Sequence, residues 1–350
     1  MISKRRQCDG TPRTARLRGR SRQPRHSRRA HWVVLLVALF VGTLGVSGCR
    51  REREPRITVG SKFFTEQVLL AELLAQQIEA KTGIKVQRKT NLGGTLLVHK
   101  ALLAGELDLY VEYTGTALTA VLHETPSGDS LSVYRRVKQA YADRFHLEVA
   151  EPLGFENTFV MVIRGEDAKS MSLRSTSDIA SIAPQWRIGV GYEFLERPDG
   201  FRGWSEQYRL RFAGEPQVMD LGLLYRALLD RKVDIVAGNS TDGLIDSLGL
   251  VALDDDRHYF PPYDAVPVVR QSTLAEYPQL KAALAELANT VSASDMRRMN
   301  YAVDGHLNDP AEVIREFRKS KGLQTGNARF RADGIPISDT LPKPEVCKTP

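Results

Sequence analysis

The stretch GELDLYVEYTGTAL, Gly105 to Leu118, decides how the chain is read. Leu107, Leu109, Val111 and Tyr113 alternate with Glu106, Asp108, Tyr110 and Glu112, which is the period of a half-buried strand. The strand ends in an aromatic ring and runs into Thr114-Gly115-Thr116, a helix start. In open α/β sheets ligands bind at the carboxyl ends of strands, so a ring, two hydroxyls and a glycine at such an end mark a candidate site.

The residues before this stretch repeat a strand–helix rhythm. Ile57-Thr58-Val59-Gly60 reads as a strand and SKFF as a loop. Thr65 is placed to cap a helix whose Leu70, Leu74 and Ile78 recur at i+4, and Gly83 is placed to end it. Lys85-Val86-Gln87 starts the next strand, NLGGT is a loop, and Thr95 is placed to cap a helix to about Ala104. This alternation implies parallel strands joined by helical crossovers. The second half has the same character. Strands are expected at Phe159–Ile163, Arg187–Val190, Val233–Ala237, Val251–Leu253 and Val266–Val269. Helices are expected at Leu221–Leu229, near 278–290 and at 310–320, the last with Asp309 as cap and Pro310 at its first position.

The 350-residue chain carries a net charge of +7, but that charge is not spread evenly. Residues 1–32 hold eleven Lys/Arg and one acid, a sum of +10, so the whole-chain +7 leaves −3 for residues 33–350. Without a basic stripe in the body of the chain there is no case for nucleic acid. The basic segment is followed by HWVVLLVALFVGTLGV, an apolar run of signal-peptide length and short for a membrane span. Val46-Ser47-Gly48-Cys49 then resembles the lipobox of bacterial lipoproteins. Residues 1–48 are accordingly expected to be an export signal, Cys49 the lipidation site and 49–56 a tether, with the protein exported and lipid-anchored, facing the periplasm or cell exterior. Ser27-Arg28-Arg29 offers a twin-arginine pair, but Ala30-His31-Trp32 fits that signal poorly. Apart from Cys8 in the leader and Cys49, the one remaining cysteine is Cys347, so no internal disulfide or thiolate metal site is expected. From about Thr325 to the end the patterning fades, and 325–350 reads as a mobile tail.

SKFFTEQ, NLGGT, GELDLYVEYTGTAL, LGFENTF, RPDGF, STDG and PPYDAVPVV follow one another in this order. Together they resemble the substrate-binding proteins of osmoprotectant ABC importers, the glycine betaine/choline-binding group, over roughly residues 57–322. The resemblance implies an α/β type II periplasmic-binding fold: two lobes, two crossovers near Glu156 and Phe260, and a ligand cleft that closes on its solute. Lobe 1 would comprise 57–156 and 262–324, and lobe 2 residues 157–261. It also implies site residues. A trimethylammonium has no N–H to donate and suits aromatic faces; Tyr113 and Tyr263 stand at cage positions, and Phe159 and Asn239 stand where cage tyrosines are expected. Asn157 falls where a backbone oxygen meets the ammonium methyls. Lys62, Thr116 and Arg197 match the positions that hold a carboxylate, where an Arg can make paired charge-assisted bonds. The implied partners are a small quaternary-amine or zwitterionic solute, a permease with its ATPase, and a membrane through the lipid; the protein is expected to be a monomer without a cofactor.

Other readings of these residues are weaker. Phe159 keeps a ring, whereas Asn239 replaces a π face by an amide and could recognise a different zwitterionic or aromatic solute, ergothioneine-like or amino-acid-like. Tyr110 reads as structural. Consecutive Asp254-Asp255-Asp256 point apart and read as a solvated loop rather than a metal site. Gly189-Val190-Gly191 lacks the third glycine of a dinucleotide loop, and GNSTD lacks the closing glycine of a nucleophile elbow. An enzyme on the same fold would need a reactive cleft group, and the sequence offers none.

Overall fold

A computed structural model describes residues 56–125 and 129–323. The leader, Cys49 with nearly all of the tether, and the 325–350 segment lie outside the described residues. Ten strands form two five-stranded sheets. The first contains β1 (Arg56–Gly60), β2 (Lys85–Lys89), β3 (Leu109–Tyr113), β4 (Leu147–Val149) and β10 (Ala265–Arg270), in the order β2-β1-β3-β10-β4. The second contains β5 (Phe159–Arg164), β6 (Ile188–Val190), β7 (Gln217–Val218), β8 (Ile235–Asn239) and β9 (Leu250–Leu253), in the order β7-β6-β8-β5-β9. Each sheet with its helices makes one lobe, and the protein is α/β.

The two sheets share a plan. β1 is parallel to β2 and β3, and β6 is parallel to β7 and β8. The antiparallel member of each central group, β10 or β5, is the strand that enters directly from a crossing between lobes. The crossings lie side by side. Glu156 and Asp264 form an antiparallel bridge, Asn157 N–H donates to Tyr263 O at 3.1 Å, and Ala265 N–H donates to Phe155 O at 3.1 Å. Because β5 and β10 run against their neighbours, their first residues lie at the carboxyl ends of β8 and β3. The register places Phe159 opposite Asn239, and Ala265 opposite Tyr113. Residues distant in sequence thereby reach one side of each sheet.

The helices follow the apolar spacing, with local shifts. The first spans Thr65–Thr82 and ends at Gly83, whose φ of +69° accepts a left-handed turn that a side chain would disfavour. Its cap position is Phe64 rather than Thr65, because the Thr65 hydroxyl donates to Asp304 Oδ1 at 2.6 Å. The next helix, Thr95–Leu103, is likewise preceded by Gly94 rather than capped by Thr95. Leu221–Leu229 and Pro310–Ser320 form as expected, the latter capped by Asp309. Helices at Ser130–Phe145 and Ala293–Asp304 were not anticipated.

β3 departs from its expected half-burial: all five of its residues are buried. Leu109, Val111 and Tyr113 enter the core formed with the Thr65–Thr82 helix, while Tyr110 enters a second core with Tyr141 and Val137 on the other face. The alternation is therefore between two cores. Glu112, fully buried, forms an ion pair with buried Lys62 and accepts hydrogen bonds from Tyr110 Oη at 3.0 Å and from Tyr113 N–H at 2.8 Å. Removing one member of a buried ion pair leaves the other charge uncompensated, at a cost of about 3–5 kcal/mol. Glu112→Gln is expected to lose stability in that range by urea denaturation. The double variant Lys62→Met/Glu112→Leu should lose less than Glu112→Gln alone; a larger loss would mean that the pair is held by shape rather than by charge.

Candidate functional site

The eight residues singled out in the sequence line one cavity between the lobes. Lys62 follows β1, Tyr113 ends β3, and Thr116 lies in the first turn after it. That helix begins at Thr114, as the sequence suggested, and passes into a π-turn over Ala117–Val121. Tyr263 precedes β10, Asn157 sits on the first crossing, Phe159 begins β5 and Asn239 ends β8. Arg197 follows a short helix at Tyr192–Glu196. Across the lobes, Phe159 and Tyr263 meet edge-to-face with centroids 6.2 Å apart. Tyr113 lines the same cavity and stacks at 6.5 Å on Phe64, which the sequence did not mark. Gly115 permits the approach of Tyr263, since a Cβ there would lie 2.6 Å from the ring and 2.7 Å from Pro262 O.

Both cations expected to hold a carboxylate already have carboxylate partners. Lys62 pairs with Glu112, and its Nζ lies 5.1 Å from the Tyr113 ring centroid. Arg197 donates from Nε and Nη2 to the two oxygens of Asp199, at 2.9 and 2.5 Å. Its guanidinium carbon lies 5.0 Å from the Phe159 centroid and 5.7 Å from that of Tyr263. Burial opposes charge on Asp199, but the Arg197 guanidinium holds its carboxyl below the usual carboxylate range. Tyr263 Oη donates to the same carboxylate at 2.5 Å, and burial together with the charge on Asp199 pushes its phenol well up. The cavity is narrow at about 50 Å³, against roughly 300–1,000 Å³ for ligand pockets. Admitting a solute requires Arg197 or a lobe to move.

Several groups at the site were not read from sequence. Glu193 of lobe 2 lines the cavity and accepts the Thr95 N–H at 2.6 Å, bridging to the start of a lobe 1 helix. Glu66, 3% exposed, accepts from Tyr113, Asn157, Thr241 and Asn300. The Asn157 side chain thus serves Glu66 through its amide nitrogen, while its amide oxygen has no partner among the described residues. In the sequence Glu66 reads only as a first-turn acid within SKFFTEQ. Asp255, in the acidic triplet, is a structural clamp: it accepts from Tyr208 Oη and from the backbone N–H groups of Tyr259 and Phe260.

A binding cleft between two crossing-linked lobes defines a solute receptor. Residues 55–320 match the family described as the substrate binding domain of ABC-type glycine betaine transport systems, and the chain belongs to that family. It is 33% identical over 296 residues to the carnitine transport binding protein OpuCC of Listeria monocytogenes, covering 84% of this chain and 96% of that protein. It is 32% identical over 291 residues to the ergothioneine transport permease/ergothioneine binding protein EgtU of Helicobacter pylori, covering 83% of this chain and 52% of that protein. A crystal structure of a glycine betaine/carnitine/choline ABC transporter superposes with a TM-score of 0.65 at 32% identity, over 76% of this chain and 99% of that one.

Asp242 supports the loop that carries Asn239, accepting from Asn239 N–H at 3.2 Å and from Tyr225 Oη. Burial pushes its carboxyl up to about 6, from an ordinary value of 3.8. A carboxyl raised on folding takes up its proton in the folded protein first, so this group adds stability as pH falls from about 6 towards 3.8. Relative to Asp242→Asn, the wild type should therefore be more stable at pH 5 than at pH 7 when urea midpoints are compared. A difference independent of pH would contradict the assignment.

Proposed function

We propose that this protein captures a small trimethylammonium solute, most often one with a carboxylate at its other end, and delivers it to an ABC permease. Carnitine, glycine betaine and ergothioneine, the solutes named for the family and for its relatives, all carry both groups. One observation carries the reading: the Arg197 guanidinium lies over the faces of Phe159 and Tyr263, so the rings between the lobes already accept a cation. Each such contact contributes about 0.5–2 kcal/mol, more when water is excluded. Thr116 and the free edge of Arg197 would hold the carboxylate, with Lys62 contributing charge at longer range. Tyr113, Phe159 and Tyr263 would wall the head group, and Asn157 would offer it an oxygen. On this reading the leader ends at Gly48, Cys49 is lipidated, and the receptor is a monomer anchored to a membrane and facing the periplasm or cell exterior.

Asn239 favours a second reading within the same class. It lies opposite Phe159 where a ring would complete the cage, and its amide could meet a polar ring substituent of an ergothioneine-like solute. Isothermal titration of the chain from residue 50 onward with glycine betaine, carnitine, choline and ergothioneine decides between these. Binding of none of them to a folded sample would overturn the quaternary-amine reading, while ergothioneine alone would favour the second. Mass spectrometry of the membrane-associated protein tests for a diacylglyceryl group on Cys49.

Two substitutions probe the assigned roles. Arg197→Ala is expected to weaken glycine betaine by about tenfold or more and choline by much less, because only the former uses the guanidinium. Equal losses would remove Arg197 from the carboxylate end. Asn239→Tyr is expected to tighten glycine betaine by several-fold, as one further π face would supply.

A further inference from the structure

Glu66 is a buried carboxylate that the binding scheme above does not use. Tyr113 Oη and Asn157 Nδ2 donate to its Oε1, at 2.6 and 2.8 Å; Thr241 Oγ1 and Asn300 Nδ2 donate to its Oε2, at 2.5 and 3.0 Å. Each oxygen therefore meets one amide N–H, which can only donate, and one hydroxyl; with both hydroxyls donating, the carboxyl is bonded as an anion. Among the described residues, no lysine or arginine is a hydrogen-bond partner of Glu66. Acidic groups lie close by, for the charges of Glu66 and Asp304 both help to raise the Asp242 carboxyl. Burial pushes the Glu66 carboxyl up against the pull of its four donors. A buried anion held only by neutral donors lacks a countercharge.

The link from this anion to the cage is the Tyr113 hydroxyl. Donation to a carboxylate shifts electron density from the O–H into the phenol ring, and a richer ring face attracts a cation more strongly. Tyr263 is arranged in the same way, its hydroxyl donating to Asp199 at 2.5 Å. The two carboxylates differ in one respect: the charge of Asp199 is cancelled by Arg197, and that of Glu66 is not. Both tyrosines of the cage thus rest on buried acids, and only one of these acids has charge to spare.

We propose that Glu66 is a positioning residue that fixes the Tyr113 ring and, through its hydroxyl, sets the cleft's preference for a positively charged head over a neutral one of the same shape. This rests on the quaternary-amine reading of the cleft. Thr241 extends the arrangement to lobe 2, so the acid comes under its full set of donors only when the lobes meet. The ordering of Tyr113 and the closing of the cleft are then a single event.

The test compares each cation with its carbon isostere, in which a quaternary carbon replaces nitrogen: choline with 3,3-dimethylbutan-1-ol, and glycine betaine with 3,3-dimethylbutanoate. Affinities are measured by titration for wild type, Glu66→Gln and Tyr113→Phe. The preference for cation over isostere should fall by about tenfold in Glu66→Gln, with isostere affinity nearly unchanged. In Tyr113→Phe, which keeps the ring and cuts the link, it should fall by about threefold or more. Equal loss of cation and isostere would show a merely structural role and overturn the proposal, leaving the receptor reading intact. Where Glu66→Gln does not fold or the isostere is too weak to measure, Tyr113→Phe decides through its affinity for the cation alone: undiminished binding overturns the proposal. Wild type that binds no quaternary amine overturns both readings.

Discussion

The cleft is governed by one constraint: a charge removed from water must find its partner within the protein. Lys62 finds Glu112, Arg197 finds Asp199, and Glu66 finds four neutral donors. These pairings decide what the site has left to offer a solute. Neither cation is idle, so a bare anion meets lysine and arginine already neutralised. The rings remain, backed by acids on the side away from the cavity. On the proposed reading, such a surface would select a positive head first and use its cations to orient whatever lies at the other end.

The topology makes that arrangement possible. Two antiparallel strands that leave the crossings side by side bring Phe159 and Tyr263 to the carboxyl ends of parallel strands in opposite lobes. Beside the Phe159–Tyr263 ring contact, hydrogen bonds across the cleft join Tyr263 to Asp199, Thr95 to Glu193, Thr241 to Glu66, Asn300 to Thr241 O and Arg297 to Ser240 O. A hydrogen bond typically contributes about 1 kcal/mol net, somewhat more when one partner is charged. A handful of these hold the lobes together weakly enough to part, and a solute bridging the rings adds to them. Capture and release thus both lie within reach of ordinary binding energies.

The sequence made the strand ends legible because period and punctuation are local. The ordered motifs made the eight lining residues legible, and these meet in one cavity. What it hid was the second layer. Glu112 and Tyr110 look outward-facing in an alternating strand, and only a second core behind the sheet buries them. Glu66 looks like a first-turn acid at a helix start, yet its partners Thr241 and Asn300 lie 175 and 234 residues away. Thr65 and Thr95 look like caps, but the Thr65 hydroxyl is engaged by Asp304 and the Thr95 amide by Glu193 from the other lobe. In every such case the deciding partner comes from a remote part of the chain. Local pattern carries no information about it.

The Arg197–Asp199 pair also bears on how a zwitterion could enter without breaking what holds the site together. Asp199 occupies the Nε and Nη2 edge of the guanidinium, leaving Nη1 for a second acceptor. A solute carboxylate can therefore join the pair rather than replace Asp199. The guanidinium plane must still leave the faces of Phe159 and Tyr263 for an ammonium to take them. Exchange of one cation for another over the same rings costs little in cation–π energy, since one contact is lost as another forms. The gain comes from the new carboxylate contact and from apolar methyls leaving water. A solute with only the ammonium lacks the first of these gains, and one with only the carboxylate gives Arg197 no replacement over the rings.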